Sequence, residues 1–166
     1  MKIFVPILIL CYLIHVESVV SCSGWIYIPK FKRCIRHFCN RRTWVEAKVV
    51  CERNNSRLVI PCNREYSDMV ATLASLYEIN RANSWIGFKS TRSGWESKEI
   101  SDYKAIESGH CTGSALNWYK PEQEHVTECL QNYAGESDAF QLMIDTSECD
   151  LVHWFVCEKE GGCDTV

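Results

Sequence analysis

Ser84-Trp85-Ile86-Gly87-Phe88 is the stretch from which the rest of the chain can be read. It is a short apolar run bounded by Asn83 on one side and by Ser90, Ser93 and Gly94 on the other. A run of this length between turn-forming residues reads as a strand buried on both faces. Gly87 lies inside it, where a glycine otherwise only weakens a strand, so another backbone or a large ring must pack close. Two helical patterns precede the run, and a cysteine-bearing, loop-rich half follows it.

The nearer helix begins at Asn63, a good N-cap. Tyr66, Met69, Val70, Leu73, Ala74 and Tyr77 recur at three and four residues, the pattern of a core-facing stripe rather than of a cofactor or partner face. Further upstream, Thr43-Trp44-Val45-Glu46 is a capping box, in which the hydroxyl and the carboxylate each satisfy a free amide of the first turn. Trp44, Ala47 and Cys51 follow at i, i+3 and i+7 and bring a cysteine to the core face. Before that helix, Ile35, His37 and Cys39 alternate with Arg36, Phe38 and Asn40 as in a strand. The segments around Ile26, Pro29 and Arg33 suggest an amino-terminal hairpin.

On the other side of the central run, residues 94–113 are polar and turn-rich without a sustained period. Long surface loops are expected there, and such loops on a rigid scaffold commonly carry binding. The charges from Lys98 to Glu107, like Arg41 and Arg42, are expected on solvated faces. Strand signals return at Asn117-Trp118, Cys129-Leu130-Gln131, Phe140 to Ile144 and Trp154-Phe155-Val156-Cys157-Glu158, the last a closing strand.

Residues 1–21 combine an early Lys2, an apolar run from Ile3 to Ile14, and small residues at Val19 and Ser21, and are expected to be a cleaved signal peptide. Cleavage after Ser18 is equally compatible. No later stretch is long enough to insert into a membrane, so a secreted, extracellular product is expected, with one domain over 22–160 and a short tail over 161–166. Lys2 and Glu17 cancel, so the net charge stays at −3, which argues against nucleic acid or an anionic membrane as partner. Ten of the eleven cysteines lie beyond Cys11. An even count in a secreted chain implies a disulfide framework rather than zinc, with the pairing left open. Asn54-Asn55-Ser56 is an N-glycosylation acceptor at Asn54.

Candidate chemistry is sparse. Gly109-His110-Cys111-Thr112-Gly113 has the outline of a hydrolase elbow, but neither the preceding strand nor the following helix that an elbow requires is patterned there. No enzyme is expected. His37, His125 and His153 lack metal-ligand spacing and read as strand or surface histidines.

Taken in order, the Cys-Ser-Gly-Trp start at Cys22, the Thr-Trp-x-Glu-Ala helix leading to Cys51, Trp85-Ile86-Gly87-Phe88, Asn117-Trp118, Cys129, Cys149 and the Phe155-Val156-Cys157-Glu158 finish resemble the long form of the C-type lectin-like domain. The resemblance implies an α+β fold, two helices flanking small antiparallel sheets with a long-loop region, stapled by disulfides. It implies bridges Cys22 to Cys34, Cys51 to Cys157 and Cys129 to Cys149. Cys39 with Cys62 and Cys111 with Cys163 would then remain, unless either pairs between chains.

The resemblance also implies a calcium ion that bridges to sugar hydroxyls, a hard cation held by six to eight oxygens. This chain departs from the family's ligand pattern. Lys120-Pro121-Glu122 puts an ammonium where the first oxygen ligand belongs, Thr127 stands two residues before Cys129 with Glu128 one position late, and the Trp-Asn-Asp place reads Met143-Ile144-Asp145 or Ile144-Asp145-Thr146. Glu122, Glu128 and Asp145 are the candidate calcium ligands of a degraded site, with Glu124 and Asn117 nearby. Trp95, Asn117, Trp118, Tyr119, Glu122 and Asp145 are the candidate ligand-binding residues, the aromatic rings as stacking platforms for a sugar. Trp118 reads more simply as core. The expected partner is a glycan or an extracellular protein, met on the surface between about Trp95 and Asp145.

Overall fold

The computed structural model describes residues 23–77, 83–94, 96–106, 108–116, 118, 125–134 and 142–163. The expected signal peptide lies outside them. The first hairpin pairs β1 (Ile26–Ile28) with β2 (Arg33–Arg42) around a turn in which Lys32 takes φ +51°. Helix α1 (Trp44–Arg53) starts where the capping box placed it: the Glu46 amide donates to Thr43 Oγ1 at 3.3 Å, and the Thr43 amide donates to Glu46 Oε2 at 3.0 Å. Trp44, Ala47, Val50 and Cys51 form its buried face. At its end the Asn54 side-chain amide donates to Val50 O at 2.8 Å, and Ser56 Oγ donates to Cys51 O at 2.7 Å.

After the two-residue β3 (Arg57–Leu58) comes α2 (Arg64–Tyr77), whose Tyr66 amide donates to the Asn63 side chain at 2.9 Å. The central run is β4 (Ser84–Ser90). Then follow β5 (Tyr103–Ala105), β6 (Ser108–Thr112), β7 (Cys129–Ala134), β8 (Leu142–Ser147) and β9 (His153–Glu160). Among the described residues these strands join into one network, ordered β1-β2-β9-β4-β5-β6, with β3 on β9 and β7-β8 attached to β4. Among the described residues the ladders between strands are antiparallel except one short parallel pair, Ser84 with Trp154 and Trp85 with Phe155, which joins β4 to β9, and an isolated parallel bridge sets Trp118 beside Ile144. The fold is the expected α+β arrangement.

β4 is buried on both faces because it separates two cores. Ile86 and Phe88 pack with Tyr66, Val70, Leu130 and Ile144 on one side. Trp85 packs with Phe38, Trp44, Leu58 and Phe155 on the other. Two indoles secure it: Trp44 Nε1 donates to Ile86 O at 2.9 Å, and Trp85 Nε1 donates to Arg42 O at 2.8 Å. Gly87 faces the backbone at the end of β3 and the residue that follows it, and a Cβ there would lie 2.8 Å from Leu58 O and 3.2 Å from Val59 O. That is the close approach the glycine implied.

Two regions differ from expectation. Residues 94–113 are not a continuous surface loop. They form a 3-10 turn at Ile100–Asp102, the β5–β6 hairpin and the start of a second 3-10 turn, and they bury Tyr103, Ala105 and Cys111. The strands, of three and five residues, are too short to leave a period.

The disulfides are also distributed differently. Cys51 bridges Cys157 and Cys129 bridges Cys149, but Cys34 pairs with Cys163, not Cys22. The reason is register: Cys34 lies opposite Lys159 in the β2–β9 ladder, and Gly161 with φ +84° turns the chain end back onto it. Cys62 pairs with Cys111, joining the entry of α2 to β6. The pairings of Cys39 with Cys62 and of Cys111 with Cys163 are thereby excluded. Cys39 is itself in a disulfide, with a partner outside the described residues. Cys111 therefore has no thiol to act as a nucleophile, and its segment is a strand rather than an elbow.

Candidate functional site

The long-loop end is built on β4, the β5–β6 hairpin and the β7–β8 ladder. Of the candidate residues, Trp95, Asn117, Tyr119, Glu122 and Glu124 lie outside the described residues, as do Lys120 and Pro121. Trp118, Glu128 and Asp145 can be placed.

Trp118 is core. Its ring is 7 % exposed and stands 5.3 Å from Tyr103 and 4.8 Å from His125, and its Nε1 donates to Gly113 O at 2.7 Å. Gly113 must be a glycine, since a Cβ would fall 2.3 Å from Ile100 O and 3.1 Å from the indole. No face of this indole is open to a sugar.

Glu128 is turned toward the scaffold. Its carboxylate accepts the Gly94 amide at 2.8 Å and pairs with Lys89 at 3.1 Å. The Gly94 hydrogen bond, then Lys89, hold this carboxyl below the usual range for glutamate. Asp145 lies opposite Gln131 in the β7–β8 ladder, whereas Glu128 precedes Cys129, which lies opposite Ser147. Three residue steps therefore separate the backbone positions of the two residues along the ladder, roughly 10 Å. Asp145 Oδ1 already accepts the Thr146 amide at 2.8 Å. Among the described residues no three His, Cys, Asp or Glu side chains converge as a metal site. A calcium ion needs its oxygens gathered at 2.3–2.6 Å. Of the expected ligand set, Glu128 and Asp145 are described, and each already has its own hydrogen-bond partner.

Three side chains organise this end that the sequence did not single out for it. Tyr103 is fully buried, and its hydroxyl donates to Thr127 O at 2.6 Å. Burial, then Asp102, raises its pKa above that of a free tyrosine. His125 is 5 % exposed, its Nε2 without a hydrogen-bond partner among the described residues; burial lowers its pKa while Asp145 acts in the opposite direction. Lys98, expected on a solvated face, is 3 % exposed. Its ammonium donates to Gly94 O at 2.6 Å, Val126 O at 2.8 Å and Glu96 O at 3.0 Å. Its backbone amide donates to His125 O at 2.8 Å. No sequence pattern distinguishes Lys98 from its exposed neighbours, because all four of its acceptors are backbone carbonyls. Beside it opens a cleft of about 280 Å3 lined by Gly94, Val126, Thr127, Glu128, Glu148, Cys149 and Asp150.

The comparisons agree with this architecture. The family model of the Lectin C-type domain matches residues 40–159. The chain belongs to that family. It is 26 % identical over 121 residues to asialoglycoprotein receptor 2 of Mus musculus, a match covering 70 % of this chain and 35 % of the receptor. The chain thus spans about a third of that relative's length. Among solved structures, the C-type lectin domain of murine dendritic cell inhibitory receptor 2 in complex with N-glycan superposes with TM-score 0.65 at 16 % identity, covering 83 % of this chain and 97 % of that one. A calcium-independent type II antifreeze protein superposes with TM-score 0.61 at 18 % identity, covering 88 % and 98 %. At such identities the likeness shows the fold alone.

Proposed function

We infer that this chain is a secreted extracellular recognition module, with its domain over 22–160 and a glycan at Asn54, that binds carbohydrate at its long-loop end without a bridging calcium. The observation that carries the calcium independence is Glu128. Its carboxylate is already held by the Gly94 amide and Lys89, and its backbone lies three ladder steps from that of Asp145. The sugar class draws support from relatives whose names state it: an asialoglycoprotein receptor and a domain in complex with N-glycan. Trp95, Asn117, Tyr119 and Glu122 remain the proposed contacts.

One observation favours a second reading, a protein partner bound without calcium. Trp118, one of three aromatic platforms expected for a sugar, has its ring committed to the core. Affinity on immobilised glycans separates the readings when run once with millimolar calcium and once with excess chelator. Retention in both buffers is the expected result. Elution by chelator would overturn calcium independence, and absence of retention in either buffer would transfer the site to a protein ligand.

A further inference from the structure

A buried lysine ammonium requires acceptors for all three of its protons, or its desolvation goes uncompensated. Lys98 has three, the carbonyls of Gly94, Glu96 and Val126, at 2.6, 3.0 and 2.8 Å. Donor and acceptor numbers match, so no ammonium proton is left over for a ligand.

The three carbonyls come from two separate parts of the chain. Gly94 and Glu96 flank Trp95 in the segment leaving β4, while Val126 lies in the segment that follows residues 119–124 and leads into β7. The Lys98 amide adds a fourth tie between the same segments through His125 O at 2.8 Å. Glu128, one residue before β7, accepts the Gly94 amide and lies near enough for the Lys98 charge to help lower its pKa. One positive charge therefore sits where two loop-bearing segments converge, surrounded by carbonyl oxygens and next to a carboxylate. Three oxygens at these distances suit an ammonium. They are too few and too far for calcium, which takes six to eight at about 2.4 Å.

We propose that Lys98 is a positioning residue whose ammonium serves as a built-in cation. It clamps the Trp95-bearing segment to the segment entering β7, so that the recognition end keeps its shape with no bound metal. The proposal rests on the calcium-independent part of the reading above and is indifferent to whether the ligand is a sugar or a protein.

The test uses the disulfide-intact chain in chelator and reads hydrogen exchange at the amides of Gly94 and Lys98, with β2 and β9 as internal reference. Lys98→Met keeps the apolar stem and removes the charge. It should speed exchange at both amides by about tenfold or more, the fold-change of losing one charge-assisted hydrogen bond, while β2 and β9 hold their rates. Lys98→Ala should behave likewise and recover on addition of n-propylammonium, which replaces the missing atoms, but not of n-propanol. A merely space-filling side chain would be rescued equally by either.

Wild-type rates in Lys98→Met, or equal rescue by the alcohol, would overturn the clamp and leave the calcium-independent reading standing. Slower exchange of these amides in wild type on adding calcium would overturn both. Should the variants not fold, the wild-type protein still decides: couplings across the hydrogen bonds from the Lys98 ammonium to the carbonyl carbons of Gly94, Glu96 and Val126 are expected in chelator, and their absence rejects the clamp.

Discussion

Two buried charges close the two halves of this molecule, and they do it differently. In the scaffold, Glu158 is 1 % exposed, accepts the Tyr66 hydroxyl at 2.6 Å and is paired with Arg57 at 2.9 Å. Its partners are side chains on α2 and β3, elements that the hydrophobic pattern and the strand ladders already place against β9. At the long-loop end, the Lys98 ammonium is met, among the described residues, by backbone carbonyls. A side-chain pair ties elements that pack anyway, whereas a lysine in a nest of carbonyls organises backbone that has no repeating structure of its own. Unpaired buried carbonyls are costly, and a loop cannot satisfy them by a ladder. The scaffold should therefore fail as a unit, and the loop end should loosen while the scaffold persists.

The largest break in that contrast comes from the staple between α1 and β9. Replacing Cys51 and Cys157 together by serine removes a link across 106 residues, and should lower the free energy of unfolding by about 4 kcal/mol in a denaturant titration. Both halves should unfold together. If the loop end unfolded at its original midpoint, the scaffold would not be its foundation.

Acid should act next, and on the scaffold. His37 is 4 % exposed in β2, with its Nε2 3.2 Å from Ser84 Oγ, and burial lowers its pKa from 6.5 to about 4. The unfolded chain takes up this proton through pH 6.5, while the folded chain stays neutral until about pH 4. The stability from this residue is thus complete above 6.5 and is lost as pH falls, by about 3 kcal/mol at pH 4. A series of unfolding curves over that range should show the slope. His37→Gln should flatten it, leaving the parts from His125 and His153, which burial shifts the same way. An unchanged slope would remove His37 from the account.

Glu158→Gln tests the side-chain closure itself. It removes the anionic acceptor shared by the Tyr66 hydroxyl and the Arg57 guanidinium, whose side chain is 23 % exposed, and a loss of about 2 kcal/mol is expected. The midpoint shift should be shared by exchange at β9 and α2. The smallest effect belongs to the loop end: Tyr103→Phe removes the 2.6 Å hydrogen bond to Thr127 O and should cost about 1 kcal/mol. Its mark should be faster exchange around Thr127 with little change in β2 or β9. A global shift as large as that of Glu158→Gln would erase the distinction between the halves.

The same contrast explains which parts could be read in advance. α1 was legible in Thr43, Trp44, Glu46 and Cys51 because capping and helical periodicity act within a few residues. The place of β4 followed from its apolar run, and Gly87 signalled a close backbone. The bridges Cys51 to Cys157 and Cys129 to Cys149 agree with the family resemblance, whereas the structure overturns the pairings expected for Cys34, Cys39, Cys62, Cys111 and Cys163. A disulfide joins residues that the finished sheet brings together, and the register of β2 on β9 cannot be counted along the chain. Lys98 reads as solvent-exposed with its charged neighbours for a related reason: a lysine in a polar segment looks the same whether water or carbonyls surround it.

The sequence by itself determined the local grammar of this protein: two capped helices, a doubly buried central strand and a disulfide-rich frame of the C-type lectin kind. The departure from the family's calcium ligand pattern is likewise legible in residue types at Lys120 and Thr127. Only the tertiary structure decided where the charges went. Glu128 faces Lys89 and Gly94, Trp118 belongs to the core, and Lys98 stands inside the loop end, because each of these depends on backbone brought close from distant parts of the chain.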